Sequence, residues 1–106
     1  MTWAPTTETN NSQEISFSWV KEHLHSGKFT LVDCREEREW NAGYIEGALL
    51  CPLSTWLRSS QNIPKDKPVV VYCRSGKRSL TATNDLLSRG YKAASMIGGI
   101  LRFNNE

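Results

Sequence analysis

Cysteine is scarce in this chain. There are three, Cys34, Cys51 and Cys73, and no two form a Cys-x-x-Cys pair. An odd count without paired spacing argues against a disulfide framework and against a structural zinc site. Unpaired thiols fit a reducing cytoplasm best. The histidines, His23 and His25, are two apart, so a helix points them to different faces. They read as solvated residues in the last turn of a helix, where cations are favoured. No metal and no cofactor is expected. Charge of one sign is also lacking: the net charge is +2, which carries no general signal for nucleic acid or membrane. No apolar run approaches the ~20 residues of a membrane helix. The polar start, Met1 to Gln13, lacks the basic-then-apolar pattern of a secretory signal peptide. Repeats and low-complexity tracts are absent. These exclusions leave one domain in 106 residues. Its body is expected over residues 14–106, with residues 1–13 as a flexible arm from which Trp3 can dock.

The informative stretch is Val69 to Ser79. Val69, Val70, Val71 and Tyr72 have high strand propensity and lead into Cys73. A polar loop with Gly76 and the cations Arg74, Lys77 and Arg78 follows. Next comes a segment that reads as a helix, from about Ser79 to Arg89. A strand thus delivers a thiol to a loop that opens into a helix N-terminus, where unpaired amides favour anions. A cysteine at a strand end is ordinarily a small buried hydrophobe. Three cations within five residues, a flexible glycine and a helix start favour a nucleophile instead. Such a cysteine ionises below the ~8.5 of a free thiol, and the thiolate is the reactive form. Cys73 is therefore read as catalytic.

Strands and helices alternate along the chain. Glu14 to Ser16 reads as a short edge strand. Ser16 or Ser18 caps a helix running to about Ser26, with Phe17, Val20 and Leu24 inward and Gly27 ending it. Phe29 to Cys34 is a strand, Glu36 to Asn41 a short helix with Trp40 packed inward, and Ala48 to Cys51 a strand stopped by Pro52. Ser54 caps a third helix carrying Trp56 and Leu57, and Gln61 to Pro68 is a surface loop. In the helix after Cys73, Leu80, Thr83 and Leu87 share one face, with Leu86 beside them. Tyr91 to Met96 is the fifth strand, Gly98-Gly99 turns the chain, and a short terminal helix or turn carries Ile100, Leu101 and Phe103. Such alternation means an α/β domain with a parallel sheet covered on both faces. Ligands bind at the carboxyl ends of such strands. Cys73 ends the fourth strand there, and Cys34, ending the second, shares the rim.

The Cys73 loop resembles the active-site loop of rhodanese-type sulfurtransferases, in which Cys, a short loop, Arg and Ser recur in this order. Asp33-Cys34-Arg35 looks like the family's Asp-x-Arg signature. Gly43-Tyr44-Ile45-Glu46-Gly47-Ala48 is similar to its Gly-His-Ile-x-Gly-Ala signature, and Gly98-Gly99 matches its double glycine. The resemblance covers roughly residues 29–103. It implies a five-stranded parallel sheet of order 1-5-4-2-3. It also implies transfer of a sulfane sulfur from thiosulfate or a similar donor, through a persulfide on Cys73, to cyanide or a thiol. Backbone amides from Arg74 to Ser79, Gly76 included, are expected to ring the sulfur. Arg74, Lys77 and Arg78 would hold the anionic donor, Arg78 by a bidentate grip, with help from the Ser75 and Ser79 hydroxyls. Asp33 and Arg35 would be architectural, Arg35 pairing with Asp33 or Glu46. A sulfur-relay protein is a possible partner.

Two features depart from the family pattern: Tyr44 stands in place of histidine, and no tryptophan follows the double glycine, where Phe103 fills in. Three rival readings remain open. Cysteine phosphatases of related fold place five residues between Cys and Arg, whereas four separate Cys73 from Arg78 here, a tighter ring suited to one sulfur atom. Some rhodanese-like domains are interaction modules that have lost the cysteine. In a redox or sulfur-relay variant, Cys34 or Cys51 resolves the persulfide, although each also reads as a packing residue.

Overall fold

The computed structural model describes residues 3, 5–7 and 13–105. Expectations for residues 1, 2, 4, 8–12 and 106 lie outside these. Among the described residues, six strands form one sheet: β1 Thr6–Thr7, β2 Gln13–Ile15, β3 Thr30–Asp33, β4 Leu49–Leu50, β5 Val69–Tyr72 and β6 Ala93–Met96. The α-helices among the described residues are α1 Phe17–Glu22, α2 Glu37–Asn41, α3 Trp56–Ser59, α4 Arg78–Ser88 and α5 Gly99–Asn105.

The spatial order is β1-β2-β6-β5-β3-β4. Every pairing is parallel except β1 with β2. Setting β1 aside, the five parallel strands run 1-5-4-2-3, as the resemblance implied. The antiparallel β1 was not anticipated: two threonines are too short a run to announce a strand. They lie within the segment read as an arm, and β1 covers the flank of β2, which is therefore not an edge. Trp3 docks edge-on to Trp19, with ring centroids 5.7 Å apart.

A parallel strand covered on both faces must be apolar throughout. β5 is buried along its whole length. One face of the sheet carries a core in which Val32, Val69 and Val71 meet Trp56, Ala82 and Leu86 of α3 and α4. The other face joins Ile15, Leu31, Val70, Tyr72 and Met96 to Val20 of α1 and Ile100 of α5.

Several local expectations are corrected. Ser16 does cap α1, its hydroxyl accepting from the Trp19 amide at 3.1 Å. The helix, however, stops at Glu22, well before Ser26, and Gly27 lies beyond it with φ +72°. His23 is not simply solvated: its Nδ1 donates to the Trp19 carbonyl at 2.8 Å and its ring stacks on Trp19. Ser54 does not cap α3; its hydroxyl and amide go to the Glu36 carboxylate. Trp40 is half-buried and stacks on the exposed Tyr44 at 3.9 Å. The face that α4 buries carries Ser79, Ala82, Thr83 and Leu86, leaving Leu80 and Leu87 half-buried.

Candidate functional site

The ends of β3 and β5 lie side by side. Asp33 stands opposite Tyr72 in their parallel register. Chain direction reverses the requirement there: β5 is apolar along its length, whereas the exits of β3 and β5 carry groups that can be charged. At β3 these groups are Asp33 and Arg35; at β5 the group is Cys73.

Arg35 closes on Asp33 completely. Its main-chain N–H donates to Oδ1 at 2.9 Å, its Nε to Oδ1 and Oδ2 at 3.0 and 3.1 Å, and its Nη2 to Oδ2 at 2.8 Å. The same Nη2 donates to the Gly43 carbonyl at 2.7 Å. Asp33 is fully buried and Arg35 nearly so. The partner is thus Asp33 and not Glu46, and Arg35 ties the β3 exit to the turn before β4. Tyr72 joins in, its hydroxyl accepting the Ile45 amide at 3.0 Å.

Cys73 is only 1% exposed, yet its sulfur is not packed as a plain hydrophobe. Sγ accepts the Gly76 amide at 3.1 Å and the Ser79 amide at 3.4 Å. The Ser79 hydroxyl lies 3.5 Å from Sγ and 2.6 Å from the hydroxyl of Ser95, buried on β6. Gly76 makes the curl possible with φ +104°, and a Cβ there would come within 3.3 Å of the Gly98 amide. The double glycine holds the loop from the other side. The Ile100 and Leu101 amides donate to the Cys73 and Arg74 carbonyls at 2.9 and 3.2 Å. A Cβ on Gly99 would strike those carbonyls, so only glycine permits this approach. With its carbonyls anchored on α5, the loop turns amides toward the sulfur.

These donors hold the Cys73 thiol down to about 4. The neighbouring Cys34 thiol, as a hydrogen-bond donor, is the largest cause; burial opposes it, and the Ser79 hydroxyl and the Ser79 and Gly76 amides add to it. Cys34 is itself pushed far up, chiefly because its S–H is held as the donor to Cys73 and because it is buried. Cys51 is pushed up to about 11 by burial and takes no part in the cluster.

Of the loop residues, Arg74, Ser75 and Lys77 are exposed at the rim. Arg78 sits differently from the expectation. Its Nη1 and Nη2 donate to Glu39 of α2 at 2.7 and 2.9 Å, so its fork is already engaged and is not turned free for a bidentate grip on a donor. The pair holds Glu39 down at about 2. Glu39 is further committed as the third residue of a capping box, accepting the Glu36 amide at 3.1 Å. Three participants were not singled out from sequence: Glu39, Ser95 and the anchoring role of Gly99. The capping-box spacing of Glu36 and Glu39 was a usable signal for the first; a serine inside an apolar strand announces nothing about its partner.

The fold and this rim define a class: a doubly covered α/β domain that presents a thiolate in an amide cradle at the carboxyl end of a central strand. Among the described residues, no group of His, Cys, Asp and Glu side chains could hold a metal ion. No helix among them is long and apolar enough to cross a membrane.

The family model for the rhodanese-like domain matches residues 16–106, and the chain belongs to that family. A sulfurtransferase of Allochromatium vinosum is 42% identical over 72 residues, covering 67% of this chain and 67% of that protein. A tRNA sulfurtransferase of Desulfurococcus amylolyticus is 34% identical over 77 residues, 73% of this chain but only 15% of that protein. The human single-domain sulfurtransferase TSTD1 superposes with a TM-score of 0.73 at 30% identity, over 88% of this chain and 96% of that one. Sulfurtransferase is the activity named for each of these three relatives.

Proposed function

We propose that this protein moves a sulfane sulfur through a persulfide on Cys73. The Cys73 thiolate attacks the outer sulfur of thiosulfate or a similar anionic donor; the S–S bond breaks and sulfite leaves with its electron pair. Cyanide or a thiol then takes the outer sulfur and the Cys73 thiolate returns. Each step is a displacement at sulfur, so one difficult transfer becomes two easier ones. The observation that carries this reading is the pair of amides, from Gly76 and Ser79, aimed at Sγ. Such preorganised donors stabilise the departing and returning thiolate without rearrangement. Arg74 and Lys77 attract the donor from the rim, with Ser75 beside them, while Arg78, pinned by Glu39, contributes its charge to the field around the sulfur. An arginine held aside in this way also supports a sulfur ligand over a phosphate. Asp33 and Arg35 support the rim and do not touch the substrate. The name of the tRNA sulfurtransferase relative favours a thiol-bearing relay protein as the acceptor in the cell, and three free thiols suit a reducing cytoplasm.

The test is a thiosulfate–cyanide assay on the full chain. Wild type is expected to form thiocyanate, and Cys73→Ser to lose more than about a thousandfold in rate with its circular dichroism unchanged. A Cys73→Ser variant as active as wild type would refute the proposal.

A further inference from the structure

Cys34 is a second thiol at the site, and the sulfur-transfer cycle assigns it no step. The register places it. Asp33 of β3 lies opposite Tyr72 of β5. The ladder continues one residue further, because the Cys34 amide donates to the Tyr72 carbonyl at 3.0 Å. Cys34 and Cys73 are therefore the next pair across. Side chains alternate along strands, so both fall on the face of Val32 and Val71, and both belong to that face's core. Neighbouring strands stand about 4.7–4.9 Å apart, inside the Cα separation of 4.4–6.8 Å that a disulfide requires. Both thiols are free in this structure.

We propose that Cys34 is an internal acceptor thiol that reduces the Cys73 persulfide to hydrosulfide, giving the domain a sulfane-sulfur reductase activity beside transfer. This rests on the persulfide reading above. The Cys34 thiol passes its proton to the outer sulfur and attacks Cys73 Sγ. A Cys34–Cys73 bond forms, the bond from Sγ to the outer sulfur breaks, and hydrosulfide leaves with the electron pair. The two cysteines are oxidised to a disulfide while the sulfane sulfur is reduced to sulfide, so no outside oxidant enters. A dithiol reductant then returns both cysteines to thiols. The state of Cys73 gates the step. While Cys73 is a thiolate, Cys34 holds its proton against that charge. Once Sγ is bonded to a second sulfur, its charge moves outward and this restraint on Cys34 relaxes.

The experiment loads the full chain with thiosulfate, removes the excess, and follows intact mass, peptide maps and released hydrosulfide without an acceptor. Wild type is expected to gain one sulfur on Cys73, then lose it as hydrosulfide while a Cys34–Cys73 disulfide, two hydrogens lighter than the reduced chain, appears. In Cys34→Ser the adduct is expected to persist at least about tenfold longer, with no disulfide. Cys51→Ser is expected to behave as wild type. Adducts that decay equally fast in wild type and Cys34→Ser, or that decay without a Cys34–Cys73 link, overturn the internal acceptor alone. Absence of any adduct on Cys73 overturns the persulfide reading and this one with it.

Discussion

At one rim of the sheet, the exit of β3 and the exit of β5 each hold a negative group, and the two are satisfied in opposite ways. Asp33 is closed: its two oxygens receive four hydrogen bonds from Arg35 alone, none of which a ligand could replace. Cys73 is open: its sulfur is met by two amides and a hydroxyl, donors that serve a thiolate and a persulfide alike. A paired, buried charge that no ligand can reach acts as a bolt. A charge held by backbone donors, with its exposed cations set back at the rim, is the group that the proposed function makes reactive. The same device, a charge at a strand exit, thus becomes structural or chemical according to whether a side chain or the backbone answers it.

Breaking the bolt has the largest expected effect on stability. Arg35→Ala leaves Asp33 buried without its counter-charge and loosens the turn at Gly43. The loss is expected to be about 3–5 kcal/mol, read as a drop in the denaturation midpoint. A variant as stable as wild type would show that the clamp is dispensable, and the contrast between the two exits would fail. A smaller effect sharpens the open side. Glu39→Gln frees the fork of Arg78 and removes an anion from the neighbourhood of the sulfur. The pair is partly exposed, so its worth is about 1 kcal/mol or less. The KM for thiosulfate is expected to fall severalfold with kcat nearly unchanged. A fall in kcat at constant KM would instead mean that the ion pair positions the loop for chemistry.

The closed exit was legible because its parts lie within three residues, and a buried Asp-x-Arg has few other partners. β5 and Cys73 were legible because a continuous apolar run ending in cysteine, glycine and cations admits few arrangements. What was hidden depended on contacts between distant segments. Arg78 looked like a free cation until α2 placed Glu39 against it, 39 residues away in sequence. Ser54 had the chemistry of a helix cap, but Glu36 offered a stronger, charged acceptor. The buried face of α4 was misjudged because the sheet opposite it is lined by small residues, Ala93 and Ser95 among them. There a helix packs close by presenting Ser79, Ala82, Thr83 and Leu86 and not Leu80 or Leu87.

The central claim is that the cradle keeps the Cys73 sulfur ionised at neutral pH. The direct test is the rate of Cys73 alkylation by iodoacetamide between about pH 3 and pH 9, with modification at Cys73 read by mass spectrometry. Because the folded pKa is depressed, the thiolate persists as pH falls and is lost only as pH approaches that value. The rate is therefore expected to stay flat from pH 9 to about pH 5 and to drop below it, with a midpoint near the value of about 4 that Cys34 and the cradle together impose. A midpoint near the ~8.5 of a free cysteine would contradict the account.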